Sequence, residues 1–152
     1  MSSVARRLRK PVRWIADRSE AFLADDQARD VSFSVSLALD GNGTFLALDV
    51  RYHINLGAYV SGRSLGPITN IGGTAGVYRT PAIAAEVYGI FTHTLPTAPY
   101  RGAGRPDATF VIERLIDVAA AELGIDRMDL RQRNLIPATA MPFRTGLVFE
   151  YD

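Results

Sequence analysis

Apolar and polar residues alternate along 31–56 more regularly than anywhere else in the chain. Val31, Phe33, Val35, Leu37 and Leu39 are interleaved with Ser32, Ser34, Ser36 and Ala38. A period of two places all the large side chains on one face of an extended strand. Asp40-Gly41-Asn42-Gly43 follows, rich in residues that tolerate positive φ and therefore suited to a tight turn. Beyond it Leu46, Leu48, Val50, Tyr52, Ile54 and Leu56 alternate with Asp49, Arg51, His53 and Asn55. The pattern predicts two long antiparallel strands joined by a hairpin. Residues 57–82 are crowded with Gly, Ser, Thr and Pro, which predicts a loop with a short helix. Alternation returns over about 83–94 and predicts a further strand. Pro96, Pro99 and Pro106 bound another loop over 95–106.

Pro106 suits the first position of a helix, where its missing N–H would have no partner anyway. From there Ala108, Val111, Ile112, Leu115, Ala119 and Leu123 recur at helical spacing, with Glu113, Arg114 and Asp117 off the stripe. Gly124 reads as the residue that ends this helix. Asp126 reads as the cap of a second, 127–134, with Asp129 completing a variant capping box. The tail 137–152 reads as loop and extended chain. The expected class is α+β: a long antiparallel hairpin and a further strand packed with a C-terminal helix pair. One strand and one main helix are little cover for so long an apolar face, so further chain or another subunit is expected to complete it.

Composition narrows the chemistry. The chain has 152 residues, 47% hydrophobic and 22% charged, which is about one domain of ordinary globular make-up. Its net charge of +1 argues against a general nucleic-acid binder. It has no cysteine, which excludes disulfides, thiolate metal sites and thiol nucleophiles from this segment. No apolar run approaches the roughly 20 residues of a membrane-spanning helix. Residues 1–18 carry Arg6, Arg7, Arg9, Lys10, Arg13 and Arg18 against Asp17 alone. The apolar stretch of a secretory signal does not follow. A solvated basic segment, a helix end, a presequence and a nucleic-acid patch stay open there. Asp17 and Glu20 read as helix-surface acids, and Arg131 and Arg133 as helix-surface or interface residues. His53 falls on a polar strand face and reads as solvated or partner-facing. His93 reads as a packed structural histidine.

The segment Pro99-Tyr100-Arg101-Gly102-Ala103-Gly104-Arg105-Pro106 carries the candidate chemistry. Glycines just ahead of a helix allow close backbone approach to a ligand. The first helical turn adds unpaired N–H groups and a positive dipole end, which together suit an anion. By spacing alone, a simple tight turn is the commoner meaning of such a loop.

A longer set of motifs raises the chemical reading. Lys10-Pro11-Val12-Arg13-Trp14 with Asp17-Arg18-Ser19-Glu20-Ala21-Phe22, then Asn55-Leu56-Gly57-Ala58-Tyr59, Gly76-Val77-Tyr78-Arg79-Thr80-Pro81 and the Thr94–Pro106 segment occur in order. Glu113-Arg114-Leu115-Ile116-Asp117, Glu122-Leu123-Gly124-Ile125-Asp126 and Leu130-Arg131-Gln132-Arg133-Asn134-Leu135 follow. This succession, over about 5–151, resembles the molybdopterin-binding large subunit of the xanthine dehydrogenase/aldehyde oxidase family, nearest its carbon monoxide dehydrogenase-like branch. The resemblance implies a cytoplasmic molybdenum hydroxylase that oxidises a small aldehyde or heterocycle with oxygen from water. It implies a molybdenum–molybdopterin cofactor, in the cytosine dinucleotide form, and no metal ligand from this chain. It also implies an oligomer with an iron–sulfur small subunit and an FAD-binding medium subunit.

By the same resemblance, backbone amides of Arg101, Gly102 and Ala103 lie against the oxygen ligands of the molybdenum and are the catalytic candidates. Tyr100, Arg101, Gly102, Gly104 and Arg105 are the cofactor-binding candidates. Ala103 stands where purine-oxidising members carry an aromatic stacking group. Gly102 stands where copper-containing members carry a cysteine, so the resemblance predicts no carbon monoxide oxidation by the copper route. The family's glycine-rich cofactor motif and its catalytic glutamate are expected outside this chain, before and after it. Residues 1–152 are thus expected to be an internal segment of the molybdopterin-binding domain, with neither Glu122 nor Glu150 taking the role of the catalytic glutamate. The alternative is a non-catalytic fragment or assembly module derived from such a subunit.

Overall fold

The computed structural model describes residues 2–66, 71–147 and 150–151. Helices α1 (Ser2–Leu8) and α2 (Arg18–Ala24) come first and bury no residue. Asp17 caps α2: its carboxylate accepts the Glu20 amide at 2.8 Å, and Glu20 accepts the Asp17 amide at 3.0 Å. The two acids read as surface residues therefore close a capping box, which satisfies amides that the helix itself leaves unpaired.

Strands β1 (Val31–Leu39) and β2 (Phe45–Gly57) form the expected antiparallel hairpin. Asp40 organises its turn by accepting the amides of Asn42 and Thr44 through Oδ1. One feature of β2 departs from strict alternation. Ala38 pairs with Ala47 but Leu39 pairs with Phe45, so the ladder is irregular at Leu46. A bulge reverses the side-chain alternation beyond it. Phe45 is therefore buried and Leu46 faces out, the reverse of the simple pattern.

Strand β3 (Ala82–Phe91) lies parallel to β2, giving the order β1-β2-β3. It ends at Phe91, three residues before the predicted end. His93 is exposed, so it is not the packed histidine expected from sequence. His53 is exposed as well, and its ring stacks on Tyr88 across the β2–β3 pair at 5.2 Å.

Helix α3 (Arg105–Leu123) lies on the apolar sheet face. Its buried positions are Ala108, Val111, Ile112, Ile116, Ala119 and Ala120, with Leu115 packed against the same core, so the stripe gains Ile116 and Ala120 and loses Leu123. Gly124 ends it at φ 64°, in the left-handed region where glycine has no Cβ penalty. Helix α4 (Arg127–Asn134) is capped by Asp126, which accepts the Met128 and Asp129 amides.

Two polar anchors tie α4 to the rest. Asn134 is 1% exposed; it accepts the Phe45 amide and donates to the carbonyls of Gly43 and Leu130. Arg131 donates to Glu113 at 2.7 Å and to Asp117 at 2.9 Å, and Tyr78 donates to the other Glu113 oxygen at 2.7 Å. Glu113 and Asp117 thus serve the α3–α4 junction. A 3₁₀ turn, Ile71–Ala75, covers one end of α3, and two short strands, β4 (Phe143–Arg144) and β5 (Glu150–Tyr151), close the described chain. Among the described residues, α3 and its partners cover one face of the sheet. Val31, Phe33, Val35, Leu37 and Leu39 of β1 remain half-buried, as the shortage of covering elements predicted.

Candidate active-site loop

The chain enters the loop by crossing the end of β2. Gly57 sits there at φ 76°, and a Cβ on it would lie 2.3 Å from the Leu95 carbonyl oxygen and 2.5 Å from Pro96 Cα. Only a residue without Cβ lets the two backbones meet so closely. Gln27 holds the crossing segment from the other side. Its amide donates to the Pro96 carbonyl at 2.9 Å, and its own carbonyl accepts the Ala98 amide at 2.8 Å. Its side chain donates to Thr94 Oγ1 and to the Leu95 carbonyl.

Asn55, just inside the end of β2, completes the clamp. Its side-chain nitrogen donates to Asp30 at 2.6 Å and to Thr94 Oγ1 at 2.8 Å. Its side-chain oxygen accepts the Gly57 amide and the Thr92 hydroxyl, both at 2.7 Å. Its carbonyl accepts the Thr97 hydroxyl. Every hydrogen-bonding position of this buried side chain is used, so the geometry is tightly determined.

From this clamp the loop runs to α3. Gly102, Ala103 and Gly104 take φ values of 85°, 50° and 90°, three successive residues in the left-handed region. The Arg105 amide closes the turn onto the Gly102 carbonyl at 3.0 Å. The amides of Arg101, Gly102, Ala103 and Gly104 have no acceptor among the described residues. They stand at the N-terminal, positive end of a 19-residue helix. Tyr100 is 83% exposed, Arg101 and Arg105 are exposed, and Ala103 is half-buried.

Two further groups lie beneath the loop. Arg29 donates from Nη2 to the Arg101 carbonyl at 2.7 Å. Asp107, in the first turn of α3, has its carboxyl pushed above the usual range by burial, with the charge of Arg29 opposing the shift. Among the described residues, no group of His, Cys, Asp and Glu is gathered that could hold a metal ion. What the loop offers is therefore a concentration of fixed backbone donors with flanking arginines, suited to an anionic group.

The residues singled out from sequence, Tyr100, Arg101, Gly102, Ala103, Gly104 and Arg105, lie together on this one loop. The structure adds a steric reason for glycine at 102. A Cβ there would meet Pro106 Cδ at 2.6 Å, because the loop folds back on its own helix. Sequence reasoning missed Gln27 and Arg29, and it gave no anchoring role to Asn55 or Thr97 although both lie in the quoted motifs. Alternation places Asn55 on the polar strand face, while the Asn55–Tyr59 motif and a glycine two residues on at the strand end were the available signals. Glu122 is exposed on α3, and the side chain of Glu150 lies outside the described residues.

The molybdopterin cofactor-binding domain matches residues 1–135 of this sequence. The chain belongs to that domain family. Two curated relatives share its domain over nearly all of this chain. The 6-hydroxypseudooxynicotine dehydrogenase complex subunit gamma of Paenarthrobacter nicotinovorans is 36% identical, over 94% of this chain and 18% of its own. The carbon monoxide dehydrogenase large chain of Hydrogenophaga pseudoflava is 32% identical, over 95% of this chain and 19% of its own. Among solved structures, quinoline 2-oxidoreductase from Pseudomonas putida 86 superposes with a TM-score of 0.88 at 36% identity. That match covers 97% of this chain and 19% of that one. The chain therefore spans less than a fifth of the relatives it matches. Its sheet, loop and helix pair are a portion of a molybdopterin cofactor-binding domain. No helix of the described residues is long and apolar enough to cross a membrane.

Proposed function

We propose that this chain contributes the 99–106 loop to the molybdenum–molybdopterin site of a hydroxylase acting on a small organic molecule. The observation that carries the reading is the run of unpaired amides at Arg101, Gly102, Ala103 and Gly104, at the positive end of α3. When bound, the cofactor accepts two electrons from the substrate, and water supplies the incorporated oxygen. The residues fit such a group because it presents negative charge on oxygen, and preorganised N–H donors stabilise that charge without rearranging.

Each part of the loop has a role in this reading. The amides of Arg101, Gly102 and Ala103 face the reacting centre, so these are the catalytic positions. Tyr100, Arg101, Gly102, Gly104 and Arg105 hold the cofactor, here assigned the cytosine dinucleotide form. Ala103 leaves the substrate side open, with no ring to stack on. Between the two substrate classes, a heterocycle is favoured over an aldehyde, since relatives named for a nicotine derivative and for quinoline match at 36% identity. The copper route to carbon monoxide oxidation is not proposed, because the chain lacks cysteine.

The general base and most cofactor contacts come from other segments of the large subunit. Electrons leave through an iron–sulfur small subunit and an FAD-binding medium subunit in a cytoplasmic oligomer; these partners rest on the family alone. A second reading, a non-catalytic assembly module, is favoured by the half-covered apolar face of β1.

The test is turnover per bound molybdenum in the enzyme assembled with those segments and subunits. Gly102→Val collides with Pro106 and cannot keep φ 85°, so the donors are displaced. Losing one such donor costs roughly 3–4 kcal/mol, or about a hundred- to a thousand-fold in turnover. His53→Ala, on the far strand surface, should leave turnover unchanged. Normal turnover per metal in Gly102→Val sinks the assignment of the loop and leaves the assembly-module reading.

A further inference from the structure

We propose that Arg29 is a positioning residue that aims the Gly102 amide and strengthens it as a donor. The inference rests on the reading that the 99–106 loop faces an anionic reaction centre. It assigns a role to a residue far from the loop in sequence.

The geometry begins at the peptide between Arg101 and Gly102. The one cis bond among the described residues is Met141–Pro142, so this peptide is trans. In a trans peptide the C=O and N–H vectors point in opposite directions. The Arg29 guanidinium grips the carbonyl of Arg101 at 2.7 Å. Fixing the carbonyl on that side turns the Gly102 N–H to the other side, where it meets no acceptor among the described residues. Glycine at 102 would otherwise let the peptide plane rotate with little steric resistance. Donation from a cation also polarises the peptide and makes its N–H a stronger donor.

Arg29 is itself held in place. Its φ is 62°, a left-handed conformation that costs energy for a residue with a side chain. Both neighbouring stretches pin it there. Gln27 is bonded to the Pro96 carbonyl and the Ala98 amide, while the Asp30 carbonyl accepts the Asn55 amide at 3.0 Å. Strain retained at a pinned residue that touches a candidate site is the kind of outlier that points to a role. The charge of Arg29 acts in turn on the Asp107 carboxyl in the first turn of α3.

Arg29→Gly separates this role from folding. It removes the guanidinium while relaxing the backbone, so the thermal midpoint should hold or rise. In NMR spectra of the full chain, the Arg101 carbonyl carbon and the Gly102 amide should shift, and the Gly102 couplings should average. The amides of Phe45 and Ala98 should stay where they are. Arg29→Lys, which keeps a cationic donor, should restore much of the wild-type pattern. In the assembled enzyme, Arg29→Gly should lower kcat by roughly ten- to a hundred-fold, the range expected when one preorganised donor is misaimed rather than deleted. Molybdenum content and KM should change little, and Arg29→Lys should recover most of the loss. Unmoved Arg101 and Gly102 signals in Arg29→Gly overturn the proposal. So does normal kcat in Arg29→Gly when Gly102→Val is impaired, which leaves the placement of the loop intact. Normal turnover in both variants removes the loop from the reaction centre and the proposal with it.

Discussion

Replacing Gly57 by alanine should dislodge the candidate loop without touching any of its residues. The new Cβ starts 2.3 Å from the Leu95 carbonyl oxygen, where ordinary contact begins at 3.4 Å, so the crossing strand must move by about 1 Å. The backbone at φ 76° adds roughly 1–2 kcal/mol for a residue with a side chain. Forcing apart well-packed backbone costs about 1–3 kcal/mol more. Moving Leu95 and Pro96 also strains their hydrogen bonds to Gln27. Those bonds contribute about 1 kcal/mol each. Together the loss of stability should be about 2–7 kcal/mol, large for a single methyl group. Gly62→Ala is the control, since it has no atom within 4 Å and no positive φ, and should fall within about 0.5 kcal/mol of wild type. Urea unfolding of the chain measures the difference. Amide exchange at Ala98, which donates to the Gln27 carbonyl, reports whether the clamp has opened. In the assembled enzyme, a 1 Å displacement of the loop's base should lower turnover about a hundred-fold. A Gly57→Ala chain within 1 kcal/mol of wild type, with Ala98 still protected, would falsify the tight crossing on which this reasoning depends.

Three further outcomes follow from other parts of the molecule. The Tyr78 hydroxyl is pushed up to about 12, first by burial and then by its bond to Glu113. The unfolded chain releases this proton near pH 10 and the folded one only near 12, so the stability it contributes is present below pH 10 and is lost as pH rises toward 12. Alkaline denaturation should flatten over that window in Tyr78→Phe, and an unchanged slope would contradict the burial argument. Purified alone, the chain should carry little molybdenum cofactor, because one loop cannot enclose a pterin dinucleotide; near-stoichiometric metal by elemental analysis would refute this. The half-covered side chains of β1, with Phe110 at 62% exposure beside them, should drive self-association of the isolated chain. A monomer in sedimentation whose melt is sharp and independent of concentration would count against it.

Alternation and helical spacing were enough to find the hairpin, the loop, the start of α3 at Pro106 and the capping of α4 by Asp126. These signals are local: a residue's neighbours at two, three or four positions decide which face it shares. The motif order was also legible, and it carried the family and the whole candidate loop. Local patterning could not show the irregularity at Leu46, because a bulge is set by pairing with the opposite strand and not by β2 itself. Nor could it give the parallel placement of β3, which depends on where the 58–81 connection returns. The clamp around the loop was hidden for the same reason. Arg29 and Arg101 are 72 positions apart, and Asn55 meets Thr94 across 39. Their hydrogen bonds exist only because the sheet brings the end of β2, the segment before β1 and the chain after β3 to one place. Among many glycines in the sequence, only tertiary contact distinguishes Gly57, backed by another backbone, from Gly62, facing open space. Local patterning is enough for the elements and the glycine-rich loop; the hydrogen bonds that anchor that loop come from side chains that meet only in the folded chain.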